Sequence, residues 1–133
     1  MFKLSIVSPE KTLYEDEVES MVAPGAAGYL GILSNHAPLI TSLAAGKLEI
    51  RDAQKKERIA SISGGFLEVS NNAATILADA VEFVEEIDLS RAQDALRRAE
   101  ERLNMAPGKV DLPRARAALT RAQNRIRLYK EYH

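Results

Sequence analysis

Four arginines offer the most chemistry in this chain. Arg91 and Arg98 stand seven residues apart, and Arg121 and Arg125 stand four apart. On helices these spacings place each pair along one side. A guanidinium donates through a rigid fork, so a cluster of four suits phosphate or carboxylate groups. The competing reading is a solvated helix face with local pairs, such as Arg98 with Glu101 or Asp94. Single-stranded nucleic acid is a poor fit, because no stacking aromatics are interleaved between the arginines.

The other chemistry-bearing types form no catalytic set. Cysteine is absent, which removes disulfides, thiolate metal sites and a cysteine nucleophile. His36 lies in the turn-like stretch Ser34-Asn35-His36-Ala37-Pro38, and His133 is the other histidine. One internal histidine makes no multi-histidine metal site, and His36 reads as a hydrogen-bonded turn residue. Gly64-Gly65 is followed by no Gly-Lys-Ser/Thr, so it reads as a bulge or a close backbone approach, not a phosphate loop. Glu15, Asp16, Glu17 and Glu19 lack the spacing of a calcium loop and read as a solvated acidic face. No metal site is expected, and no enzyme activity.

The arginines need helices to hold them, and the second part of the chain supplies two. Asp88 suits an N-cap, and Leu89, Ala92, Leu96, Ala99 and Leu103 follow in steps of three and four. The segment from Asn104 to Val110 breaks that pattern. Asp111 suits a second cap, with Pro113 in the first turn, where its missing N–H costs little. Leu112, Ala115, Leu119, Ala122, Ile126 and Tyr129 repeat the spacing. The expectation is an antiparallel hairpin whose second helix returns toward the start of the first. Its seam is rich in alanine, so it buries little area and is weakly held by itself. An element of that kind can occupy two positions.

The first part reads as β-structure. Phe2, Leu4 and Ile6 alternate with Lys3, Ser5 and Val7, as do Leu48 and Ile50 with Lys47, Glu49 and Arg51. Arg58-Ile59-Ala60-Ser61-Ile62 is a further short strand, after a polar loop at 52–56. Gly65-Phe66-Leu67-Glu68-Val69 and Ala74-Thr75-Ile76-Leu77 flank Asn71-Asn72, a pair suited to a tight turn. The apolar run Tyr29, Leu30, Ile32 and Leu33 is either a buried strand or an interface.

Composition divides the 133 residues at the same place. Six of seven glycines and five of seven aromatics precede residue 85. Residues 1–84 carry seven Lys and Arg against eleven Asp and Glu, whereas residues 85–133 carry eleven against eight. The overall charge of −1 thus hides an acidic β-domain, 1–84, and a basic helical domain, 85–133. No apolar run is long enough to span a membrane, and the opening residues do not resemble a signal peptide.

Three segments carry a family resemblance: Gly28-Tyr29-Leu30-Gly31-Ile32-Leu33-Ser34-Asn35-His36-Ala37-Pro38-Leu39, then Ser63-Gly64-Gly65-Phe66-Leu67-Glu68-Val69, then Thr75-Ile76-Leu77-Ala78. In this order, and followed by an Ala/Arg-rich helical pair, they resemble the epsilon subunits of bacterial F-type ATP synthases over essentially the whole chain. The resemblance implies a ten-stranded β-sandwich followed by a two-helix hairpin. It implies a non-catalytic rotor subunit whose sandwich binds the gamma subunit and the c-ring, with the loop at 26–31 at the c-ring end. The hairpin would regulate: folded down it permits ATP hydrolysis, and extended into the alpha/beta catalytic head it inhibits. The location implied is the cytoplasmic face of the bacterial cell membrane, peripheral and held through the complex.

Ile87-Asp88-Leu89-Ser90-Arg91-Ala92 also matches the Ile/Leu-Asp-x-x-Arg-Ala motif of ATP-binding epsilon subunits from Bacillus-like bacteria. By that resemblance Glu82, Ile87, Asp88, Arg91 and Ala92 would hold the adenine end of ATP. Arg98, Arg121 and Arg125 would meet its phosphates. ATP is then a regulatory ligand, and Mg²⁺ is compatible but not required. The alternative within the same family is a purely structural rotor coupler without ATP sensing.

Overall fold

The structure, a computed structural model, describes residues 1–105, 108 and 111–133 and consists of two compact units, Met1–Phe83 and Val84–His133. The first unit is all-β. Its strands are β1 (Phe2–Val7), β2 (Thr12–Gly25), β3 (Gly28–Leu33), β4 (Leu39–Asp52), β5 (Glu57–Ser70), β6 (Ala73–Ala78) and β7 (Val81–Phe83). Neighbours run β1-β6-β5-β4-β2, and β1 also pairs with β2, so five strands close a circuit. β3 extends it beside β2, and β7 pairs with β5. All pairings are antiparallel except β1 with β6, which is parallel.

The sandwich class matches the expectation, but the described strands number seven, not ten. Three of them are 14 residues long. β2 shifts register against β4 between Val18 and Ser20 and again between Val22 and Gly25. Such irregularities bend a strand, so one long strand serves where several short ones were expected. The segments expected as separate strands around Ile59 and Leu67 are likewise one continuous strand, β5, through Gly64-Gly65.

Alternation builds the core. Phe2, Leu4 and Ile6 point inward from β1, and Leu48, Ile50, Leu67, Val69, Ala74 and Ile76 join them. Two tight turns follow side-chain chemistry. Asn71 and Asn72 both take positive φ, 50° and 58°, between β5 and β6. In the loop after β4, Asp52 Oδ1 accepts from the amides of Gln54 (3.0 Å) and Lys56 (2.9 Å). Gly65 has φ +137°, and a Cβ there would collide with the Leu77 carbonyl, so the glycine pair is a close backbone approach. His36 is a turn residue: Leu33 O accepts from its amide at 3.2 Å, and its ring Nδ1 lies 2.7 Å from Ala37 O.

The second unit opens with a 3-10 turn, Val84–Glu86, followed by helices α1 (Leu89–Leu103) and α2 (Leu112–Tyr132). Each helix is capped as its sequence requires. Asp88 Oδ1 accepts from Arg91 N, and Asp111 Oδ1 from Arg114 N, both at 3.1 Å. Buried alanines recur at seven-residue intervals, Ala92 and Ala99 on α1 and Ala115 and Ala122 on α2. The helices pack on each other, and α2 also meets the 3-10 turn before α1, so they run antiparallel. Of the expected break between them, Ala106, Pro107, Lys109 and Val110 lie outside the described residues.

Candidate functional site

Seven of the eight candidate ligand residues belong to the second unit; Glu82 belongs to the first, half-buried on β7 opposite Ser61 of β5. Ile87 is buried just past the 3-10 turn, where its amide donates to Val84 O at 3.3 Å. Asp88 follows as the N-cap of α1. One carboxylate oxygen is therefore committed to the helix start whatever else the group does. Arg91 is exposed in the first turn beside buried Ala92.

Arg98 is exposed two turns further along α1. The local ion pair at this level is made by its neighbour: Arg97 Nη2 lies 3.1 Å from Asp94 Oδ1. Arg121 and Arg125 are half-buried on α2. They share their side of the helix with buried Asn124 and Leu128, a line at steps of three and four that the alanine stripe had obscured. Asn124 Oδ1 accepts from Arg127 Nη2.

The end of α2 fixes how the two arginine pairs line up. His133, which caps α2, sets its ring Nε2 2.9 Å from the Val84 carbonyl. With a rise of ~1.5 Å per residue, Arg125 and Arg121 lie roughly 12 and 18 Å back along α2 from that point. Arg91 and Arg98 lie roughly 5 and 15 Å forward along α1 from its cap. Arg98, Arg121 and Arg125 thus fall within roughly 6 Å of one another in level along the hairpin, near its middle, and Arg91 lies closer to the 3-10 turn. Three cations at one level are the type of donor that suits a polyanion.

Sequence reasoning set aside His133 and did not single out Asn124 or Leu128. Only the second period on α2, running 121, 124, 125, 128, signalled the latter two. In the first unit, the run at 29–33 divides by alternation: Ile32 is buried, Leu30 half-buried, and Tyr29 and Leu33 exposed. Ile40, Phe66 and Leu77 are also exposed, and Phe66 and Leu77 are cross-strand partners on β5 and β6. Among the described residues, no helix is long and apolar enough to cross a membrane.

Residues 1–84 match the family of the ATP synthase delta/epsilon chain β-sandwich domain, and residues 85–130 match the long α-helix domain of the same chain. Curated relatives include ATP synthase epsilon chains from three bacteria. That of Desulforamulus reducens is 48% identical over 102 residues, 77% of this chain and 76% of the relative. That of Carboxydothermus hydrogenoformans is 54% identical over 101 residues, 76% and 75% of the two chains. That of Desulfitobacterium hafniense strain Y51 is 50% identical over 107 residues, 80% of each. Among solved structures, a chain of the Euglena gracilis mitochondrial ATP synthase (OSCP/F1/c-ring) superposes with a TM-score of 0.78 at 23% identity, covering 98% of this chain and 80% of that one. A chain of the Tetrahymena thermophila mitochondrial ATP synthase central stalk and c-ring gives 0.56 at 18% identity, covering 97% and 93%. At these identities the two structures speak to fold. The chain belongs to the delta/epsilon family of F-type ATP synthase subunits, as an epsilon-type, non-catalytic member.

Proposed function

We propose that this chain is a central-stalk rotor subunit whose helical hairpin senses ATP. The sandwich would bind the gamma subunit and the c-ring, and the exposed apolar residues Ile40, Phe66 and Leu77 supply a surface for such contacts. The solved Euglena and Tetrahymena relatives come from assemblies that contain a c-ring, which supports that partner. The subunit would lie peripherally on the cytoplasmic face of the bacterial membrane, held there by the complex.

The observation that carries the sensing reading is the shared level of Arg98 on α1 with Arg121 and Arg125 on α2, with Arg91 between them and the capped Ile87-Asp88 turn. ATP with its adenine end at Ile87, Asp88 and Arg91 and its phosphates on Arg98, Arg121 and Arg125 would tie α1 to α2 and favour the folded-down hairpin. It shifts the equilibrium only by its differential affinity for that state. At a hundred times its dissociation constant it contributes about 2.7 kcal/mol, a large bias for an alanine-rich seam. When ATP is scarce the hairpin would extend into the alpha/beta head and stop hydrolysis. Mg²⁺ would accompany the nucleotide without being needed to hold it.

Titrating the full chain with ATP tests this. Saturable binding is expected, weakened about 10- to 100-fold by Arg98→Ala or Arg125→Ala, as for loss of a charged hydrogen bond. Binding untouched by both substitutions overturns the site; no binding at millimolar ATP removes the sensor and leaves family membership intact. The second reading is a structural coupler without ATP sensing, its hairpin permanently folded or extended. Inhibition of the assembled ATPase that ignores both ATP level and a disulfide locking the hairpin would select it.

A further inference from the structure

We infer that His133 is a latch that couples the last turn of α2 to the turn presenting Ile87 and Asp88. The His133 ring stacks on Tyr129, with centroids 4.2 Å apart and planes at 10°. The stack sets the edge of the imidazole, and Nε2 meets the Val84 carbonyl at 2.9 Å, across 49 residues of sequence. A carbonyl can only accept, so Nε2 carries the proton in this bond.

Val84 O has a second donor. It also accepts the Ile87 amide at 3.3 Å and thereby closes the 3-10 turn. One oxygen therefore joins two events, the closure of the turn before α1 and the docking of the end of α2. A carbonyl has two lone pairs and can serve both. If α2 swings away, His133 leaves, and the turn that orients Ile87 and the Asp88 cap loses a support. If the turn opens, α2 loses its anchor. Val84, Ile87 and Leu128 are buried at this end, and the stacked pair and the hydrogen bond add to their packing.

The test is amide hydrogen exchange on the full chain without nucleotide, comparing wild type with His133→Ala and His133→Phe. Three places are read: the Ile87 amide, the last turn of α2 and the Ala99 amide in mid-α1. His133→Ala should speed exchange about tenfold at Ile87 and in the last turn together, the size expected for losing one bond and one stack, with Ala99 unchanged. His133→Phe keeps a ring for Tyr129 but has no N–H, so Ile87 should remain fast. Faster exchange confined to the end of α2 is ordinary fraying and overturns the latch. So does a slow Ile87 amide in His133→Phe, or equal acceleration at Ala99. Because no nucleotide is present, failure here leaves the ATP reading standing, and failure of the ATP titration leaves the latch standing.

Discussion

The guanidinium of Arg58 stands 4.3 Å over the ring of Phe83, the last residue of the sandwich unit. Tyr14 approaches the same ring, with centroids 5.7 Å apart and planes tilted by 49°. β7 has only three residues, so its side chains must do more of the holding than its ladder does. Phe83→Ala should lower the stability of the sandwich by about 3–5 kcal/mol. Arg58→Met keeps the stem and loses the charge over the ring, and should lose roughly 0.5–1 kcal/mol from that contact. Denaturant unfolding of the full chain, read at the sandwich, measures both.

Tyr14 gives a pH signature. Burial pushes its phenol above the usual tyrosine range; nearby Asp16 and Asp52 add to the rise, and Arg58 opposes it. The folded state then holds this proton more tightly than the unfolded chain. The contribution to stability is complete below the ordinary phenol value of about 10 and is lost as pH rises from there through the raised folded value. Alkaline unfolding curves should show that decline, and Tyr14→Phe should flatten it. An unchanged slope in the variant would assign the alkaline loss to other groups.

Glycines 31 and 65 should behave oppositely. A Cβ on Gly65 meets the Leu77 carbonyl at a φ of +137°, whereas one on Gly31 meets nothing within 4 Å. Gly65→Ala should cost more than about 2 kcal/mol by combining backbone strain with a clash against a fixed strand. Gly31→Ala should stay within about 0.5 kcal/mol. Thermal melts of the two variants in parallel provide the comparison.

Asp88 has one established job and one proposed one, and two substitutions separate them. Asp88→Ala should cost about 1 kcal/mol of helix stability through loss of the cap. Asp88→Asn retains a good cap, so helix content by circular dichroism should remain near wild type. If the carboxylate also holds the nucleotide, ATP affinity falls in Asp88→Asn while the helix stays intact. Equal affinity in Asp88→Asn and wild type would confine Asp88 to capping.

Much of this structure is legible where local chemistry and burial agree. Asp88 and Asp111 are caps because a short carboxylate before an apolar-periodic run satisfies an orphan amide, and nothing distant overrides it. Asn71-Asn72 is a turn for similarly local reasons. Strand count was not legible, because register shifts such as that between Val22 and Gly25 arise from pairing between distant segments and leave no period of their own. On α2 the alanine stripe drew attention away from Asn124 and Leu128, since a buried polar residue looks like a surface residue in sequence. The role of His133 was invisible for a simpler reason: its partner is a backbone carbonyl 49 residues away, and carbonyls have no sequence identity.

The parallel pairing of β1 with β6 bears on how the chain is made. Lys3 lies opposite Ala73 and Val7 opposite Leu77, so β1 waits for β6, nearly the last strand of the sandwich, before this ladder can form. Until then Phe2, Leu4 and Ile6 can pair only with β2, leaving one edge of the nascent sheet open. An open apolar edge invites association with other chains, and long-range closure is slow. The sandwich can close only once residue 78 has been made, so its edge is expected to be most open to such association before then. The helical hairpin, made of local contacts, comes afterwards and adds little to that risk.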